Sequence, residues 1–131
     1  MTTTASKTKH IDDLHFDHQL WTSQAKFYAD ELKIYQKRLA EVASKNTAAE
    51  VRKQVEHFQN QFIIQKEQLD ILNHEVNVHE QWLAKYAKMH PVAVDHVLFG
   101  DHKTMHEKME RFPILYIELK NEFKKFLATW M

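Results

Sequence analysis

Apolar residues recur at alternating steps of three and four along most of this chain. This spacing is the heptad pattern of helices that pack along one narrow seam. Three uninterrupted stretches of it predict long helices over residues 10–44, 47–90 and 101–130, with Pro91 ending the second. The pattern therefore predicts an all-α fold with coiled-coil-like helices.

Residues with capping chemistry stand where the predicted helices begin. Thr47 is followed three positions later by Glu50, which is the spacing of a capping box, and Asp101 after Gly100 is the predicted N-cap of the third helix. Pro113 lies inside the third stretch, but the heptad phase continues through it. We therefore expect a bend at this proline and no break.

The short turn between the first two helices predicts an antiparallel hairpin, in a register that pairs Trp21 with Val76. The third helix packs against the second so that their ends coincide. The result is an up-down-up antiparallel three-helix bundle, a single domain over residues 10–131, after a disordered lead over residues 1–9. The alternative is an extended hairpin whose third segment packs only in an oligomer.

The polar residues at seam positions are Gln65 and one histidine from each helix. The predicted register places Gln65 beside Tyr116, whose phenol would satisfy the buried amide. It also places His18, His79 and His102 in one layer, which we call the histidine layer. Neutral imidazoles that converge on a bundle axis form a three-nitrogen face for a divalent metal ion, zinc or iron, with a further position for water or a carboxylate.

Neighbouring residues extend this predicted metal site. His15, Glu75 and His106 each lie one helical turn from a member of the histidine layer, so we include them as candidate metal ligands. Asp17 and Glu80 are adjacent in sequence to seam histidines, and we expect them to accept hydrogen bonds from imidazoles. This set of ligands suffices for one ion or for two.

Composition narrows the possible functions. Ten histidines are the anomaly of a chain that has no cysteine, so thiolate sites and disulfides are excluded. Eighteen basic residues balance eighteen acidic ones, which disfavours a nucleic-acid partner. No apolar run predicts a membrane span, and the first residues lack the apolar core of a secretion signal, so we expect a cytoplasmic protein.

Two functional interpretations remain open at this point. The first is a metal-binding helical bundle, and the second is a non-catalytic structural or protein-interaction bundle whose histidine layer is structural or pH-sensitive. No phosphate loop, zincin motif or nucleophile elbow is found. An enzymatic role would therefore have to come from a bound metal with an open coordination position.

A second set of apolar residues lies outside the seams at seven-residue intervals on the first two helices. Either the third helix covers this set or a second protomer does, and further apolar residues on the third helix favour a homodimer. A broad three-helix core is the alternative. The six residues are Leu20, Phe27, Ile34, Ile64, Ile71 and Val78.

Overall fold

The computed structural model describes residues 11–89 and 96–131, which form three helices. They are α1 (Ile11–Lys45), α2 (Ala49–Met89) and α3 (His96–Trp130). The predicted all-α three-helix bundle is confirmed, and α3 packs on the other two helices of the same chain. The alternative of a hairpin with a detached third segment is therefore wrong.

The start of α2 differs from the prediction. The carbonyl of Ala48 accepts the first bond of the helix, from the backbone N–H of Arg52 at 3.0 Å. The N-cap position thus falls on Ala48, and Thr47 does not cap the helix. The predicted disordered lead over residues 1–9 lies outside the described residues.

The start of α3 also differs from the prediction. This helix is already formed at His96, so Asp101 lies within it and is not its N-cap. Gly100 takes part in the helix, and a helical glycine costs only about 1 kcal/mol relative to alanine. As the heptad phase predicted, α3 continues through Pro113. Over the described residues, none of the three helices carries an apolar stretch long enough to cross a bilayer.

The chain divides into two compact units, and every helix contributes to both. We call Met1–Ala25 with Ile71–Glu110 the histidine unit, and Lys26–Asp70 with Arg111–Met131 the aromatic unit. A single domain over residues 10–131 stays a prediction.

Aromatic rings fill much of the core of the aromatic unit. Phe62 and Phe123 are fully buried and meet edge to face, with ring centroids 4.9 Å apart. Phe58 lies 5.2 Å from Phe123, and Tyr35 lies 6.1 Å from Phe62, which are pairs that the predicted register contains. Such ring contacts add to the free energy gained by burial alone. Interdigitated rings thus fix the register of the three helices in this unit.

A polar cluster replaces the predicted pairing of Gln65 with Tyr116 in the aromatic unit. The Tyr116 hydroxyl donates a hydrogen bond to one carboxylate oxygen of Glu31 at 2.6 Å, and the Lys120 ammonium donates one to the other oxygen at 2.9 Å. Burial, followed by the Glu31 carboxylate, raises the pKa of Tyr116. Burial opposes ionisation of Glu31, but the bonds from Tyr116 and Lys120 outweigh it and lower the pKa of this carboxyl. A carboxylate is a stronger acceptor than an amide, so the phenol donates its hydrogen bond to Glu31 and not to Gln65.

The apolar residues outside the seams remain open to solvent. All six are between 45% and 59% exposed, so α3 does not bury them and the broad-core alternative is wrong. The homodimer stays a prediction. Their exposures are Leu20 46%, Phe27 57%, Ile34 59%, Ile64 45%, Ile71 52% and Val78 50%.

Candidate metal centre

The histidine layer forms in the histidine unit with one imidazole from each helix. His18, His79 and His102 are only 2%, 3% and 3% exposed. Their ring centroids are 4.8, 5.2 and 5.5 Å apart. One nitrogen from each ring lies within 4.8 Å of the other two, and no other described histidine or acidic residue joins this group. The group can therefore offer three nitrogen ligands to one metal ion.

Carboxylates surround the layer in a cyclic order. Glu80 on α2 pairs with Nδ1 of His18 on α1. Asp17 on α1 lies 2.9 Å from Nε2 of His102 on α3. Asp101 on α3 has its carboxylate 3.6 Å from Nδ1 of His79 on α2, which is an ion-pair distance too long for a hydrogen bond. Each helix thus supplies an acidic residue, next in sequence to its own histidine, to the histidine of another helix.

These contacts determine which nitrogens face inward. An ionised carboxylate only accepts, so His18 donates from Nδ1 to Glu80, and His102 donates from Nε2 to Asp17. This assignment, made from the hydrogen-bond network, leaves a lone pair on the remaining nitrogen of each ring. Those two nitrogens, His18 Nε2 and His102 Nδ1, lie 3.2 Å apart. Two lone pairs at this distance repel each other unless a proton or a metal ion lies between them.

His79 is the least satisfied member of the layer. Among the buried side-chain atoms of the described residues, its two nitrogens are the ones without a hydrogen-bond partner. A buried polar group in this state costs about 1–3 kcal/mol. Native structures rarely leave such groups without a partner, and a neutral imidazole nitrogen can take a metal ion as its partner.

Burial keeps two of the imidazoles in their neutral form. Burial, helped by the proximity of His18, lowers the pKa of His79. Burial also lowers the pKa of His102, to about 4, although the hydrogen bond to Asp17 opposes it. Both rings are therefore neutral near pH 7, which is the form that binds metals.

Apolar and aromatic side chains enclose the layer. The Trp21 ring stacks on His102 at 4.8 Å with 29° between the planes. Trp82 meets His79 edge-on at 6.0 Å, and it also packs against the buried pair Leu14 and Leu83. These packed side chains lower the polarity around the buried rings, so the attraction between a cation and its ligands is screened less there than in water.

The three remaining candidate ligands lie outside the group of buried histidines. His15 is half exposed and pairs with the second oxygen of Glu80. Glu75 accepts from Lys108 at 2.6 Å, and the exposed His106 lies 2.9 Å from Glu110. Each of the three is thus engaged with another charged or titratable side chain. Their role as ligands stays a prediction.

Asp17 and Glu80 contact imidazoles as expected, whereas Asp101 was missed as a member of the site. Its position after Gly100 predicts a helix cap, whereas the structure places it within α3, 3.6 Å from His79. The sequence nevertheless contains the relevant signal, because an acidic residue adjoins each seam histidine in Asp17-His18, His79-Glu80 and Asp101-His102.

Comparison with known proteins adds no assignment. The chain matches no protein-family model, and neither curated proteins nor solved structures give a significant match. A functional interpretation of the histidine layer therefore depends on its own geometry and chemistry.

Proposed function

We propose that this protein is a metal-binding helical bundle in which His18, His79 and His102 hold one divalent ion. The observation that carries the proposal is the convergence of three buried imidazoles whose inward nitrogens lack satisfactory partners. A divalent cation would remove the repulsion between His18 and His102 and give His79 its missing partner.

The distances are compatible with such an ion. Zinc binds imidazole nitrogen at about 2.0–2.1 Å, so two ligands of a tetrahedral ion lie roughly 3.4 Å apart. The inward nitrogens of His18 and His102 are already 3.2 Å apart. All three ligand atoms lie within 4.8 Å of one another, so a shift of His79 on the order of 1 Å would complete the face.

The surroundings also favour a cation. Ligating imidazoles in metal sites commonly donate their outer N–H to a carboxylate, which fixes the ring and raises its basicity. Glu80 and Asp17 have this position, and Asp101 lies near it. Three carboxylates around the histidine layer supply negative charge that a divalent ion would balance.

Nitrogen ligands limit the choice of metal. Imidazole suits zinc, iron, copper and nickel, whereas calcium and magnesium prefer oxygen. We propose zinc or iron, with water or a carboxylate in any further position. The proposal concerns binding and includes no catalysed reaction.

The competing function is a structural or protein-interaction bundle whose histidine layer responds to pH. It is favoured by the contact between His18 and His102, because one proton shared between these nitrogens would also remove their repulsion. The two functions differ in what occupies the layer, and metal binding distinguishes them.

The test is a titration of chelator-treated protein with cobalt(II) and then zinc. Cobalt absorption reports the coordination geometry, and we expect about one ion per chain. His79→Leu should lower the affinity by roughly a hundredfold or more, since it removes a ligand. His57→Leu, at an exposed position on the same helix, is the matched control and should bind as wild type does. Wild-type protein that takes up neither ion would refute the proposal.

A further inference from the structure

A cleft between α2 and α3 borders the histidine layer within the histidine unit. It has a volume of about 320 Å³, and His79 forms part of its wall. Asp101 and Thr104 line its α3 side, and both are exposed. The cleft thus extends from solvent to the side of the His79 ring, whose two nitrogens are buried and lack hydrogen-bond partners.

The three histidines are not equivalent. His18 and His102 are each held by a carboxylate, and their inward nitrogens already have the spacing of two metal ligands. Among the described residues no carboxylate is within hydrogen-bond distance of His79, and the acidic oxygen that pairs with it lies 3.6 Å away on Asp101. The layer therefore consists of a pair of rings that carboxylates hold and a third ring that no hydrogen bond holds.

The charges along the cleft favour the arrival of a cation. The side chain of Asp101 is 60% exposed, so its carboxylate reaches both solvent and the edge of His79. Lys108, the cation of the cleft wall, donates to Glu75 at 2.6 Å, and this pairing offsets its repulsion of an incoming ion. A carboxylate at the mouth of a site raises the local concentration of cations and speeds their association.

We propose that the metal ion enters through this cleft, contacts Asp101 first, and then passes to the pair His18 and His102, after which His79 closes behind it. Asp101 then releases the ion and accepts a hydrogen bond from the outer N–H of His79. This bond completes the cyclic order of carboxylates. This inference rests on the proposed function, since it specifies the route and the order of binding at the same site.

The first test is to narrow the cleft without touching a ligand. Thr104→Trp adds a large ring at the cleft wall, and we expect both zinc association and zinc dissociation to slow by roughly tenfold or more. A barrier on the route slows passage in both directions equally, so the dissociation constant should change by less than about threefold. Thr129→Trp is the matched control, because Thr129 is also exposed on α3 and also bonds the carbonyl four residues before it.

The second test concerns the order of binding. Stopped-flow mixing of wild type with cobalt(II) should give a phase that depends on ion concentration, followed by one that does not, as His79 closes. His79→Leu should keep the first phase and lose the second. Asp101→Asn should slow the first phase by roughly tenfold, whereas Asp12→Asn removes the same charge elsewhere and should not.

The outcomes separate this inference from the proposed function. Equilibrium binding by wild type, with unchanged rates in Thr104→Trp, would overturn the route and leave the metal site standing. A second phase that survives in His79→Leu would overturn the order of binding. Absence of equilibrium binding by wild type would overturn both the site and the route. Far-ultraviolet circular dichroism of each variant confirms that it remains folded.

Discussion

The aromatic unit and the histidine unit use the same three helices and the same seam positions, but they fill those positions with different chemistry. In the aromatic unit, Phe58, Phe62 and Phe123 need only one another, and their edge contacts complete the core. In the histidine unit, a layer of imidazoles occupies equally buried positions and leaves the nitrogens of His79 without partners. A heptad seam can thus specify a core of apolar rings in one place and a buried layer of polar rings in another.

The largest change in the free energy of unfolding should come from a substitution in the core of the aromatic unit. Phe123→Ala removes a fully buried ring that contacts Phe58 and Phe62, and the free energy of unfolding should fall by about 3–5 kcal/mol. Urea denaturation with chelator present measures this change. The folded variant should still bind one ion per chain, and loss of binding would show that the two regions are not chemically separate.

Metal should stabilise the protein through the histidine unit. An ion that binds only the folded chain, at a free concentration one hundred times its dissociation constant, raises the free energy of unfolding by about 2.7 kcal/mol. Melting curves with zinc and with chelator measure the difference, which His79→Leu should remove. An equal stabilisation of His79→Leu by zinc would place the ion elsewhere.

Without metal, replacing the unsatisfied ring should be favourable. His79→Leu substitutes an apolar side chain for two buried nitrogens without partners, and we expect a gain of about 1–2 kcal/mol in chelator. His57→Leu, at an exposed position, should stay within about 0.5 kcal/mol of wild type. A loss of stability in His79→Leu under these conditions would mean that the imidazole is already satisfied.

The metal-free histidine unit should lose stability in acid. The pKa of His102 is lowered to about 4 and that of His79 is also lowered, whereas both return to 6.5 on unfolding. Between these values the unfolded chain binds more protons, so the free energy of unfolding should decrease as pH falls from about 7 toward 4. Denaturation across this range tests the sign. His102→Leu should flatten the curve, although Asp17 and His18 also face this ring and contribute to it.

The smallest change in the free energy of unfolding should come from a substitution that disrupts the proposed homodimer. We propose a homodimer through the six exposed apolar residues outside the seams, of which Phe27 is 57% exposed. Sedimentation should give about twice the 15.7 kDa chain mass for wild type, and Phe27→Glu should shift it toward monomer. Stability at low concentration should change by no more than about 0.5 kcal/mol. Gln24→Glu is the exposed control, and a monomeric wild type would contradict the proposal.

The heptad spacing was sufficient to predict the helices, their register and the meeting of His18 with His79 and His102. This succeeded because an unbroken seam allows few alignments. The identities of local partners were harder to predict. Asp101 follows the chain's only glycine and resembled a cap, but Gly100 is tolerated inside the helix. The sequence also has an acidic residue, Asp95, directly before His96, and this second signal for a helix start was missed.

The sequence also did not predict which of several possible acceptors a buried polar side chain would bond to. Gln65 and Tyr116 are both buried, as their seam positions predict, but the phenol donates to Glu31, which stands one position before the seam residue of α1. A heptad pattern assigns each residue to a face of its helix. It does not show which hydrogen-bond acceptor a side chain will use when a long side chain on a neighbouring face also comes within reach. For the same reason the sequence predicted that Glu80 contacts an imidazole but did not identify His15 and His18 as the two that it contacts.

The cyclic order of carboxylates makes the histidine unit sensitive to alignment. Each acidic residue adjoins a histidine in sequence but serves the histidine of a different helix, so every helix both gives and receives one contact. If one helix slid by a single residue, its own histidine would turn away and its carboxylate would leave the neighbouring ring. A bound ion would therefore act as a check on correct assembly, since only the native alignment of all three helices presents a complete set of ligands.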